Sequence, residues 1–98
     1  MGLEPISDEL AADYTNAMSP LEREVMALCS RRQSWGYARL AEKTGASYAE
    51  IQFIGKCWQS SQLATVRPIK HGREFAGSAI FLTTRGEQVQ KALAELLD

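Results

Sequence analysis

The sequence holds a single histidine, His71, and two cysteines, Cys29 and Cys57, without the paired spacing of a zinc site. Both cysteines fall in helix-periodic apolar segments, where a free thiol behaves as a small hydrophobe, so no disulfide is expected. A nucleophile built from His71 and Cys29 or Cys57 would join a loop tip to a core-facing or crowded helical position, so no enzyme activity is expected. No metal or other cofactor is expected either. There is no apolar run of 18 residues and no basic-then-apolar N-terminal pattern, so the chain reads as cytoplasmic, with no membrane partner. Repeats and low-complexity tracts are lacking as well. What is there is 98 residues with 45% apolar side chains, enough for one compact domain that buries roughly two-thirds of its unfolded surface.

Charge of one sign is also lacking: the formal net charge is −1. It is unevenly spread. Met1 to Glu24 sums to −5, Val25 to Arg73 to +6 and Glu74 to Asp98 to −2. Salt at physiological strength screens exposed charges over about 8 Å, so a phosphate senses local charge and not the chain total. The central block can act as a basic surface.

Helix starts and stops are plainly written. Ser19-Pro20-Leu21-Glu22 combines a hydroxyl cap, proline at the first helical position and a glutamate three residues after the cap. This predicts a helix to about Arg32 with Leu21, Val25, Leu28 and Cys29 as its buried stripe. Arg31 and Arg32 follow, to complement the helix dipole or to contact phosphate. Tyr37, Leu40, Ala41 and Thr44 share one face of the next helix, which Gly45 ends. Ser47 and Glu50 then repeat the capping-box signature, so a third helix starts almost at once, with Ile51, Ile54 and Trp58 facing the core. Glu50 is accounted for as the capping partner of Ser47. Gly55 in this helix implies close approach of another backbone, or a kink. Trp35 and Trp58 read as packing residues.

Farther on, Leu63 to Arg67 and Ser78 to Leu82 are predicted as two antiparallel strands. Thr84-Arg85-Gly86-Glu87 reads as another capping box, opening a helix with the stripe Val89, Ala92, Leu93, Leu96 and Leu97. Leu3, Ile6, Leu10, Tyr14 and Met18 suggest an amphipathic N-terminal helix, with disorder as the alternative for this acidic segment. The division expected is residues 1–18, acidic and dimerising, and residues 19–98, the main domain. The fold class is mainly α with a small antiparallel β-hairpin, an α+β arrangement.

That order of elements resembles a winged helix-turn-helix domain. More narrowly, LAEKTGAS at the turn and FLTTRG at the last strand are similar to the DNA-binding core of MarR and PadR type bacterial regulators, over about Ser19 to Leu93. The resemblance implies that Ser47 to Gln59 is a recognition helix and that Pro68 to Gly77 is the wing. The function expected is that of a transcriptional regulator binding double-stranded DNA, working as a homodimer through Leu3 to Met18 and the Val89–Leu97 stripe.

The residues carry matching chemistry. Gln52 suits bidentate contact with adenine, Lys56 a guanine or a phosphate, and Tyr48 a phosphate at the helix start. Phe53 stands between the polar and apolar faces. Arg67, Lys70, His71 and Arg73 form the densest basic cluster, on the wing, where a minor groove offers negative potential. The eight candidate DNA-binding residues are therefore Tyr48, Gln52, Phe53, Lys56, Arg67, Lys70, His71 and Arg73. The competing function is a winged-helix module for a protein partner, favoured by the acidic N-terminal segment and by apolar Phe53 on a polar face.

Overall fold

A computed structural model of the chain describes residues 4–31, 33, 35–71 and 74–97, with residues 71, 74–76 and 97 described in backbone only. The elements in order are α1 (Asp8–Ala17), α2 (Pro20–Leu28), β1 (Trp35–Gly36), α3 (Tyr37–Thr44), α4 (Tyr48–Ser60), β2 (Ala64–His71), β3 (Glu74–Leu82) and α5 (Thr84–Leu97). This is an α+β winged helix. The sheet is antiparallel with order β1-β3-β2.

Two capping boxes set the helix starts as expected. The Ser19 hydroxyl accepts from the Glu22 amide and the Glu22 carboxylate accepts from the Ser19 amide, both at 3.2 Å; Ser47 and Glu50 repeat the arrangement at 3.1 and 3.2 Å. Gly45 ends α3 at φ 78°, a conformation that glycine adopts without Cβ strain. These signals place α4 directly after α3 with a three-residue turn, the helix-turn-helix itself.

Several expectations are corrected. Helix α2 stops at Leu28, short of Arg32, because Cys29 turns extended and the Gln90 side-chain amide takes over the helix end, donating to the Met26 and Cys29 carbonyls at 2.8 and 2.7 Å. Arg31 therefore caps no dipole; it pairs with Glu87 of α5 at 3.4 Å. The cap of α5 is Thr83, not Thr84: the Thr83 hydroxyl accepts from the Gly86 amide at 3.1 Å while donating to the Gln62 carbonyl at 2.6 Å. Gly86 sits so close to the backbone just before β2 that a Cβ there would overlap the Leu63 carbonyl oxygen. Strand β1 was not expected; its two residues pair with Ile80 and Ala79. The two main strands run well past the predicted ends, so much of the Pro68–Gly77 wing is ladder, with a register shift between Pro68 and Lys70. A shift there suits proline, which has no amide to donate.

Met26, Leu40, Ile51, Ile80, Val89 and Val25 are fully enclosed where α2, α3, α4, the sheet and α5 meet. Helix α1 docks on α5: the Thr15 hydroxyl donates to Ala11 and Val89 carbonyls at 3.0 and 3.4 Å, and the Gln88 amide grips both backbone groups of Ile6. Its buried residues are Ala11 and Thr15, with Met18 buried just past its end, whereas Leu10, assigned to the apolar face above, is exposed. Leu3 lies outside the described residues. Among the described residues no helix is long and apolar enough to cross a membrane.

Candidate nucleic-acid interface

Helix α4 is held from below by Ile51, Ile54 and Trp58, all buried. Gly55 is buried too, and what approaches it is neither another backbone nor a kink but the ring of Tyr37. A Cβ at Gly55 would stand 2.5 Å from the Tyr37 hydroxyl. Tyr37 in turn meets Tyr48 edge to face, ring centres 5.6 Å apart. Burial, then the neighbouring Tyr48, push the Tyr37 hydroxyl above its ordinary pKa of 10.0, so it stays protonated as a donor.

Four of the eight candidate residues share the open surface of α4: Tyr48, Gln52, Phe53 and Lys56 are all exposed. They divide into two sides. Tyr48, Gln52 and Lys56 lie at i, i+4 and i+8, towards the wing, where Gln52, Lys56 and Gln59 face Val66 and Ser78 across a groove of about 580 Å³. Gln59 closes one end of it, its side-chain oxygen accepting from the Val66 amide at 3.3 Å. Phe53 lies on the other side with Ala49 and Cys57, above an apolar groove completed by Leu21 and Ile54. Cys57 is exposed there, which corrects its expected core-facing or crowded position. Cys29 is buried as expected, and burial pushes its thiol up to about 12.

The wing cations do not all converge on α4. Arg67 pairs with Ala79, one residue along from the Val66 and Ser78 that line the groove, so strand alternation turns it to the opposite face. Its guanidinium lies 5.2 Å over the Phe81 ring. Of the expected wing cluster of Arg67, Lys70, His71 and Arg73, Arg67 is thus turned away from the groove beside α4. Lys70 is exposed farther out on β2. Arg73 and the His71 side chain lie outside the described residues.

A basic residue that sequence reasoning missed stands nearer. Arg39, on α3, lies 4.3 Å over the Trp35 ring and lines a cleft with Tyr48, Ile69, Gly77 and Ser78. The spacing of Trp35 and Arg39, four residues apart at the start of a helix, was the available signal. Lys43 is exposed one turn further along α3. Among the described residues, Arg39, Lys43, Lys56 and Lys70 make no ion pair. The one acid of α4, Glu50, is engaged by the Ser47 amide. The exposed cations of α3 and α4 are Arg39, Lys43 and Lys56, alongside the exposed acids Glu42 and Glu50.

No family model matches the chain, and no curated protein matches it. Solved structures do. The Mycobacterium tuberculosis protein RV1404 is similar at TM-score 0.69 and 17% identity, covering 90% of this chain and 58% of that one. MepR of Staphylococcus aureus, described as a transcription regulator of the multidrug efflux pump MepA, is similar at TM-score 0.67 and 12% identity, covering 93% and 67%. A MepR variant bound to an oligodeoxyribonucleotide gives TM-score 0.65 and 12% identity, covering 93% and 68%. The fold is a MarR-like winged helix. The chain spans about half to two-thirds of the length of such structures, from 52% for Lactococcus lactis ZitR to 68% for that MepR variant. In MarR-like terms α3 and α4 are the helix-turn-helix and β2–β3 is the wing, the arrangement that FLTTRG and LAEKTGAS imply.

Proposed function

We propose that this MarR-like chain is a small transcriptional regulator that binds double-stranded DNA sequence-specifically. Helix α4 enters the major groove, and the wing, residues 68–77, follows the backbone or the minor groove. The observation that carries this is the stripe of Tyr48, Gln52 and Lys56, exposed on a helix whose acid is engaged in its own cap. Gln52 suits adenine and Lys56 a guanine or phosphate. Tyr48 and Arg39 suit phosphates flanking the groove. The MepR structure bound to an oligodeoxyribonucleotide supports the same use of the same fold.

The chain works as a homodimer in this reading. Val89 and Leu93, expected to serve the dimer, are buried within the protomer, and among the described side chains of the two expected segments the exposed leucines are Leu10 and Leu96, the latter on the open seam between α1 and α5. A two-fold protein calls for half-sites about 10 bp apart.

Titrating the protein into labelled duplexes at graded salt tests the function. Four or five phosphate contacts give a slope of log affinity on log salt of about −4. A flat response removes DNA binding. It would leave the second reading, a protein-interaction module, which Phe53 favours by being 68% exposed above an apolar groove.

A further inference from the structure

We propose that Phe53, with Ala49, reads the 5-methyl group of a thymine in the major groove, next to the adenine that Gln52 contacts. The inference rests on the DNA-binding reading above and deepens it. Phe53 is 68% exposed, the most exposed large apolar residue of the described chain, on the middle turn of α4. Ala49, four residues earlier, is exposed beside it. Among the described residues the start of α2 borders this side without covering Phe53, and the wing packs along the Gln59 side of the same helix.

Chemistry selects the occupant. Of the groups on base edges in the major groove, the thymine methyl is the apolar one; the others are hydrogen-bond donors and acceptors. An aromatic side chain projecting there strips water from donors and acceptors it cannot satisfy, unless a methyl meets it. Gln52 directly precedes Phe53 and Lys56 stands three residues along, both exposed, so the ring belongs to the same open surface of α4 as the polar residues that suit base edges. The groove beneath it is lined by Glu22 and Glu50, and Glu50 is held in its cap. Adjacent positions 52 and 53 then specify adenine and thymine at neighbouring steps, so the preferred half-site is centred on A·T pairs.

The experiment begins with selection of a preferred duplex from a random library by the intact chain. Each thymine is then replaced singly by deoxyuridine, which removes the methyl and leaves every hydrogen-bonding atom. The result expected is a loss of about fourfold at one thymine per half-site, the worth of burying one methyl. The same replacement is silent for Phe53→Ala and still felt by Phe53→Leu, while the salt slope is unchanged in both. Equal affinity of the wild type for the selected duplex and all its deoxyuridine forms overturns the proposal and leaves DNA binding intact. So does a Phe53→Ala variant that keeps full methyl sensitivity, which would assign the groove beside Phe53 to a protein partner. If no duplex is selected and binding is flat in salt, the DNA reading itself falls, and this inference with it.

Discussion

The Tyr37 hydroxyl rests 2.5 Å from the point where a Cβ on Gly55 would stand, so the two helices of the helix-turn-helix touch through a ring laid on bare backbone. Glycine costs a helix interior about 1 kcal/mol relative to alanine, so Gly55→Ala gains that much in propensity. Overpacking against a buried, rigid ring costs about 1 to 3 kcal/mol. The second effect wins. Gly55→Ala should lower the melting temperature, and Tyr37→Phe, which deletes the nearest atom, should lessen that loss. Thermal unfolding of the two single variants and the double variant checks it; purely additive losses would mean the two positions do not compete for space.

The same pair marks where reading from sequence stopped. Capping boxes at Ser19 and Ser47, the left-handed Gly45 and the buried stripe of Ile51, Ile54 and Trp58 are local signals, and the structure bears out each. Gly55 signalled a close approach, but not from a side chain, because Tyr37 reaches it only through tertiary packing. The end of α2 was misread for a like reason: Gln90, far along the chain, replaces its last helical bonds. Arg67 was grouped with Lys70, His71 and Arg73 because all four are basic and close together on the wing. A strand sends alternate residues to opposite faces, and without the register of β2 on β3 its direction could not be assigned. Arg39 was overlooked because its usefulness depends on Trp35 and on a cleft shared with the wing.

The two thiols should separate cleanly. Cys57 is exposed and Cys29 is buried with its thiol pushed up to about 12 from 9.0. At pH 8 a thiol reagent should label one cysteine in the native chain and two after denaturation, because the thiolate is the reactive form. Labelling of Cys29 in the native chain would contradict its burial. The sign of the pH effect follows. Folding raises this pKa, so the stability it contributes is whole below pH 9 and is lost as pH climbs from 9 towards 12. Cys29→Ala should flatten that alkaline decline relative to the wild type, whatever other groups titrate there, as read by denaturant midpoints across the range.

Cations on the two sides of the sheet should behave differently in DNA binding. Arg39→Ala and Lys56→Ala should each weaken binding at all sequences or at one base step, and every phosphate left without its cation should reduce the salt slope by about 1. Arg67→Ala, turned away and stacked near Phe81, should leave the slope unchanged. Affinity measured over a salt series for the three variants decides it. An Arg67 effect as large as that of Lys56 would mean that the duplex meets the opposite face of the wing.

Assembly can be separated from stability on α5, because its apolar residues divide by burial. Val89 and Leu93 are enclosed within the protomer, so truncating either to alanine should cost about 1 to 5 kcal/mol and unfold the domain before it dissociates anything. Leu96 is 49% exposed, beside Ala12, Lys91 and Ala92 on the open seam with α1. Its replacement by glutamate removes no core packing, yet it sets a charge where a two-fold copy would bury both leucines. If the proposed homodimer forms through this seam, Leu96→Glu keeps a melting temperature close to that of the wild type and sediments as a monomer at concentrations where the wild type sediments as a dimer. A two-fold interface carries the substitution twice, once in each subunit, which is why one surface residue can dissociate it. Equal sedimentation of variant and wild type would move the dimer interface away from this seam.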